Sequence, residues 1–170
     1  MCSSDLLSIH GGSLRLFAGH TGTHAVETSV TELRAEEKRK GVDSIACYQG
    51  FAEQVHNLKR ELVELLAGLK REGKSIAAYG ASAKGSTLLN YYGIGPETLA
   101  FVVDRSTYKQ GRLTPGTHVP ILPPEELRRR QPDYTLLLTW NFADEILAQQ
   151  TAYREAGGKF IVPIPKVKVV

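Results

Sequence analysis

Apolar positions along this chain follow one rhythm up to about residue 73 and another beyond it. In the first part Tyr48, Phe51, Val55, Leu58, Leu62, Leu65 and Leu69 recur three and four apart. They form one seam of a long helix capped by Asp43 or Ser44 and closed by Gly73. Such a seam either lies along its own domain or pairs with a second copy of the helix, as a homodimer. Ahead of it, Ser29 with Glu32 makes a capping-box signature for a charged helix that runs to Lys40 and stops at Gly41.

From Lys74 onward short apolar runs alternate with helical stretches. The pattern predicts strand 75–79, helix 83–91, strand 99–103, loop 104–118, strand 119–122, helix 124–130, strand 134–139, helix 142–156 and strand 159–164. Strands separated by crossovers form a parallel sheet. Near-continuous runs such as Leu99 to Val103 and Tyr134 to Leu138 suit strands covered on both faces. The fold class is therefore α/β: a Rossmann-like open parallel sheet with helices on both faces, preceded by a long helix. Helix 142–156 has Asn141 and Asp144 at its start and Gly157-Gly158 at its end.

The opening is different. Leu6 to Ile9 and Ser13 to Ala18 read as two short strands around Gly11-Gly12, a hairpin, followed by a polar linker from Thr21 to Thr28. Two strands alone are marginal in water. We therefore divide the chain into 1–28, a hairpin and linker left from something upstream, and 29–170, the Rossmann-like domain.

Composition narrows the function. With 42% apolar residues, 170 positions can bury a real core. The formal charge of +3 comes from 21 basic and 18 acidic residues spread along the chain, without the basic stripe that nucleic acids favour. Arg128-Arg129-Arg130 closes a short helix, where cations complement the dipole. Cys2 and Cys47 make no disulfide framework, and a reducing cytoplasm fits. His20 and His24 lack a third ligand for zinc. No apolar run is long enough to span a membrane.

Ligands of open parallel sheets sit beyond the carboxyl ends of the strands. After the first strand come Gly80, Ser82, Lys84, Gly85, Ser86 and Thr87, a run of small residues, hydroxyls and one lysine at a helix start, suited to a phosphate. Gly80-x-Ser82-x-x-Gly85, with Asp104 ending the next strand, also approximates a dinucleotide fingerprint, although serine stands at the central glycine. The loop after Asp104 carries Lys109 and Arg112, each able to neutralise a phosphate. Trp140 could stack on a base or sugar, and Asn141 could hydrogen-bond one or serve only as a helix cap. No serine or cysteine is tied by pattern to a histidine, so nucleophilic catalysis is not indicated.

His10 to Arg15, Tyr79 to Gly85, Asn90 to Gly95, Asp104 to Pro120, Trp140-Asn141 and Gly157 to Phe160, in that order, resemble the carboxyl-terminal domain of S-adenosylmethionine-dependent C-methyltransferases. The members resembled most are those acting on nucleotide-linked deoxysugars. The resemblance implies a domain that holds a nucleotide-linked sugar. S-adenosylmethionine and zinc would be bound by upstream parts of the parent enzyme and no cofactor by this chain. It also implies an upstream methyltransferase domain as partner and no catalytic residue within these 170 positions. The rival reading of the same motif is an NAD(P)-type dinucleotide-binding module.

Overall fold

The computed structural model describes residues 1–7 and 12–170. The described chain gathers into two compact units, Met1–Val55 and His56–Val170, with the division falling inside the long helix.

In the first unit β1 (Ser3–Leu7) pairs antiparallel with β2 (Ser13–Phe17), from Ser3 opposite Phe17 to Leu7 opposite Ser13. The hairpin expected from the sequence is there. Its first strand starts three residues earlier than expected, and the expected positions Ser8, Ile9 and Gly11 lie outside the described residues. Helix α1 (Thr28–Lys40) follows and ends at Gly41, whose φ of 67° closes the helix in the left-handed region. The capping box is not formed. Ser29 Oγ instead accepts the Ser4 N–H at 3.2 Å, and the Glu27 carboxylate accepts the Ser3 hydroxyl at 2.7 Å, so both groups tie the helix start to β1. Helix α2 (Ile45–Arg71) begins after Ser44, whose hydroxyl accepts the Cys47 N–H at 3.4 Å.

The second unit is built on a sheet ordered β5-β4-β3-β6-β7-β8. These strands are β3 (Ile76–Tyr79), β4 (Val102–Val103), β5 (Ile121–Leu122), β6 (Tyr134–Leu137), β7 (Lys159–Val162) and β8 (Lys168–Val169). All neighbouring pairs are parallel except β7 and β8. The crossovers carry α3 (Ala83–Tyr92), α4 (Glu125–Arg130), α5 (Ala143–Gln149) and α6 (Thr151–Glu155).

Strand alternation sorts the side chains to two sides. Ile76 and Ala78 face Leu62, Leu66 and Leu69 of α2 with Leu88 and Leu89 of α3. Ala77 and Tyr79 face Leu127 of α4, Ile146 of α5, and Tyr153 of α6. Period-two patterning thus gives a sheet buried on both sides, as the apolar runs require. Each fully buried leucine contributes about 1.5–3 kcal/mol relative to exposure, and this anchors the carboxyl-terminal half of α2.

Three expectations are revised. The ladders of β4 and β5 are shorter than the apolar runs around them. An antiparallel edge strand, β8, was not foreseen. The single helix 142–156 is a 3-10 turn (Trp140–Phe142) followed by α5 and α6, broken at Gln150. At that break the Thr151 hydroxyl donates to the Ala148 carbonyl at 2.9 Å and competes with the helical ladder.

Candidate functional site

From β3 the chain moves outward through β4 to β5, then returns to lay β6 against the other side of β3. This reversal opens a crevice beyond the carboxyl ends of β3 and β6, the place where such sheets take ligands. Gly80 leaves β3 with φ of 91°, and a β-carbon there would lie 2.5 Å from Thr139 Cγ2, so only glycine lets the two strand ends approach. Gly85 has a related task. A β-carbon on it would lie 2.7 Å from Leu138 Cβ, so its absence allows α3 to press onto the end of β6.

Ser82 caps α3. Its hydroxyl accepts the Gly85 N–H at 3.0 Å and donates to the Leu138 carbonyl at 3.1 Å. Both capacities are thus used inside the protein. Ser86 and Thr87 donate to the carbonyls of Ser82 and Ala83, each at 3.2 Å, so these hydroxyls also turn back on the helix. Ala83 and Lys84 supply the first two helical N–H groups, which have no partner within the helix, at its positive end.

Lys84 and the loop after β6 come together. The Lys84 ammonium sits 4.4 Å from the centre of the Trp140 ring and donates to Asn141 Oδ1. Partial burial holds the Lys84 pKa below its ordinary value. Asn141 therefore is not the cap expected of it. Phe142 occupies the cap position of α5 without a side-chain bond, and the Asn141 amide faces Lys84.

The loop after β4 also reaches the first loop, with its cations unequally placed. Lys109 donates to the Ala81 carbonyl at 2.8 Å and meets Asp104 Oδ2 at 3.3 Å. Asp104 is only 9% exposed, and its other oxygen accepts the Ser106 N–H at 2.8 Å. Its carbonyl accepts Gln110 Nε2 at 2.9 Å, so residue 104 ties its own loop together. Arg112 is exposed beside edge strand β5, where its carbonyl accepts the Ile121 N–H at 2.8 Å. No contact joins it to Lys84 among the described residues.

Beside this arrangement lies a cleft of ≈ 280 Å³ whose walls include Tyr79, Gly80, Arg105, Thr139 and α5. Burial raises the Tyr79 pKa, an effect that Arg105 and the Gln150 side chain partly offset. Of these, Gly80 was among the sequence candidates, whereas Tyr79, Arg105 and Thr139 were not. Thr139 was hidden because the strand was drawn through it, whereas β6 ends at Leu137 and Thr139 belongs to the rim. Arg105 adjoins Asp104 and is exposed on the cleft, a better-placed cation than Arg112. Among the described residues, no three His, Cys, Asp or Glu side chains gather as a metal site.

The parallel part of the sheet, β3 to β7, with its rim falls within residues 8–165, which match the family described as C-methyltransferase C-terminal domain. The chain belongs to this family. Similarity to a curated C-methyltransferase accords with it. The chain is 40% identical over 163 residues to the C-methyltransferase NovU of Streptomyces niveus. That match takes in 95% of this chain and 39% of the relative, so the chain spans well under half of the relative's length. The resemblance drawn from the sequence motifs is thereby established at the level of the family.

Proposed function

We propose that this C-methyltransferase C-terminal domain holds a nucleotide-linked sugar by its phosphates at the start of α3. Methyl transfer belongs to the remainder of the parent enzyme. The observation that carries the reading is the convergence of two free helical N–H groups with the Lys84 ammonium, at the crevice between β3 and β6. An anion entering there exchanges Asn141 for itself as the partner of Lys84. Trp140 covers the ammonium and excludes part of the water, which strengthens the charge pair.

S-adenosylmethionine is the methyl donor that a C-methyltransferase relative suggests, and we place its binding in the upstream methyltransferase domain together with any zinc. The hairpin and linker, residues 1–28, go with that portion. Within the present chain no residue is assigned to bond making or breaking, and the substrate is a deoxysugar nucleotide by resemblance alone. The dinucleotide alternative relies on Asp104 to bind a ribose. Both of its carboxylate oxygens already accept hydrogen bonds, which weakens that reading.

Titration of the chain with a thymidine-diphosphate sugar, NAD and S-adenosylmethionine, each followed by melting temperature, tests the assignment. A rise with the sugar nucleotide alone is expected. A rise with NAD alone overturns the proposal in favour of the dinucleotide module.

A further inference from the structure

Buried apolar side chains are shared unequally between the two units. In Met1–Val55 only Val30 is a buried apolar residue among the described residues, whereas Leu62, Leu66 and Leu69 open a long series in His56–Val170. The first unit shows apolar surface instead. On α2, Ile45, Tyr48 and Phe51 are 73%, 58% and 63% exposed, an uncovered patch of the kind that marks an interface. Leu6, Leu14 and Leu16 of the hairpin are exposed too and go with the upstream portion, but the residues of α2 form a separate pattern.

Ile45, Tyr48, Ala52 and Val55 follow one another by three, four and three positions, so they line one stripe within about 80° of arc, with Phe51 at its side. Ile45, Tyr48, Phe51 and Ala52 are exposed and Val55 is half-buried. Charge avoids the stripe. Glu53, the one charged residue from Ile45 to Val55, is turned about 120° away from its middle. The Tyr48 hydroxyl donates to the Val42 carbonyl at 2.7 Å, so the ring can be covered without stranding an unpaired polar group.

We infer that this stripe pairs with the same stripe of a second copy of the chain, the two helices running antiparallel about a two-fold axis level with Gly50. The stretch is self-complementary in that register: Ile45 meets Val55 of the second copy and Tyr48 meets its Ala52, so each large side chain faces a smaller one. A parallel pair sets Tyr48 on Tyr48 and Ala52 on Ala52, which crowds one layer and leaves the other underfilled. Phe51 and its copy meet on one flank of the axis, offset by about 3 Å along it. Gln49 and its copy meet on the other flank, where each amide offers both a donor and an acceptor. No charge is buried. The paired stretch is about 16 Å long, so the contact falls below the roughly 1,200 Å² of stable interfaces and the dimer is a weak one.

Sedimentation equilibrium of the 170-residue chain tests the pairing, with reductant present because Cys2 and Cys47 are free thiols. Across loading concentrations of about 5–500 μM, a monomer–dimer equilibrium with a dissociation constant on the order of 10–100 μM is expected. Phe51→Glu and Ala52→Glu each raise that constant at least about tenfold, because they bring like charges together at the two-fold contact. Glu53→Gln, turned away from the stripe, leaves it as it was. Ala52→Tyr sets two tyrosines against each other and weakens the dimer, whereas Tyr48→Ala with Ala52→Tyr restores it by exchanging large for small. Circular dichroism verifies that each variant keeps the helix content of the parent, and the restoring pair reads the register even where a glutamate variant unfolds. A chain that stays monomeric over the whole range overturns the inference and leaves the stripe to the upstream methyltransferase portion. A dimer that withstands both glutamate substitutions in folded proteins overturns it as well, and places the contact elsewhere.

Discussion

The ammonium of Lys84 lies 4.4 Å from the centre of the Trp140 ring, so the start of α3 and the loop after β6 meet across the crevice between their strands. The chain has a single tryptophan. Its fluorescence therefore reports on this contact without interference. Pyrophosphate at the start of α3 is expected to change the Trp140 emission, and Lys84→Met is expected to abolish that change and lower affinity about tenfold. A Lys84→Met protein with an unaltered emission response ends the assignment of Lys84 to the anion.

Lys84 also makes a prediction about pH. Burial lowers its folded pKa below the ordinary value of 10.5, so between the two values the unfolded chain holds the extra proton. Stability contributed by this group rises with pH through that window. Replacing the lysine by methionine removes the rise, and thermal melts of both proteins up to pH ~10.5 check it.

Gly85→Ala places a methyl 2.7 Å from Leu138 Cβ, which forces α3 away from β6. Overpacking of this kind costs about 1–3 kcal/mol. Urea unfolding should show a loss in that range. The same shift moves the first turn of α3, so weaker pyrophosphate binding should accompany the loss.

Thr139→Val replaces the unpartnered hydroxyl by a methyl of similar shape. Removing an unsatisfied buried group relieves about 1–3 kcal/mol of desolvation penalty. The variant is expected to melt higher than the parent. A lower melting temperature would show that the hydroxyl has a partner in solution.

Tyr153 donates to the Pro132 carbonyl at 2.8 Å and accepts from the Thr135 hydroxyl at 2.9 Å, deep under the sheet. Burial pushes its pKa from 10.0 up to about 12. Its contribution is complete below the unfolded value and is lost as pH rises through the folded one, because the unfolded chain ionises first. Tyr153→Phe should flatten the alkaline limb of the stability profile, seen by melting temperature against pH. It should also cost about 1–3 kcal/mol at neutral pH by leaving Pro132 and Thr135 without their partner.

At the acid end, Arg129 and Arg130 hold Glu126 well below the usual carboxylate range, from 4.5 down to about 2. The favourable pairing is present above the unfolded value and disappears as pH falls through about 2. A carboxyl titration of Glu126 by NMR should show this midpoint. It should move upward in high salt, since the two arginines are exposed and salt screens them.

Much of the fold could be read from the chain itself. Runs such as Tyr134 to Leu138 identify strands covered on both sides, and the seam through Leu62 and Leu69 identifies the buried stripe of α2, in which Leu66 is buried and the expected Leu65 only partly so. The upstream part of the same seam was less informative. Tyr48 and Phe51 share its spacing yet are 58% and 63% exposed, so periodicity there marks an apolar face without saying what covers it. The position of the phosphate-sized loop at a strand-to-helix junction was equally legible.

Local patterning along the sequence determined which segments are strands and helices, because burial of one face imposes a period that neighbouring residues share. It could not determine which candidate groups are free. The Ser82 hydroxyl is bound to Leu138, Lys109 to Ala81, and Asn141 to Lys84, all pairs distant in the chain. A hydrogen bond depends on distance and angle between atoms that only the folded sheet brings together. The tertiary structure thus decided that Lys84 and Arg105 face the crevice and the cleft, while Lys109 and Asp104 hold the loop.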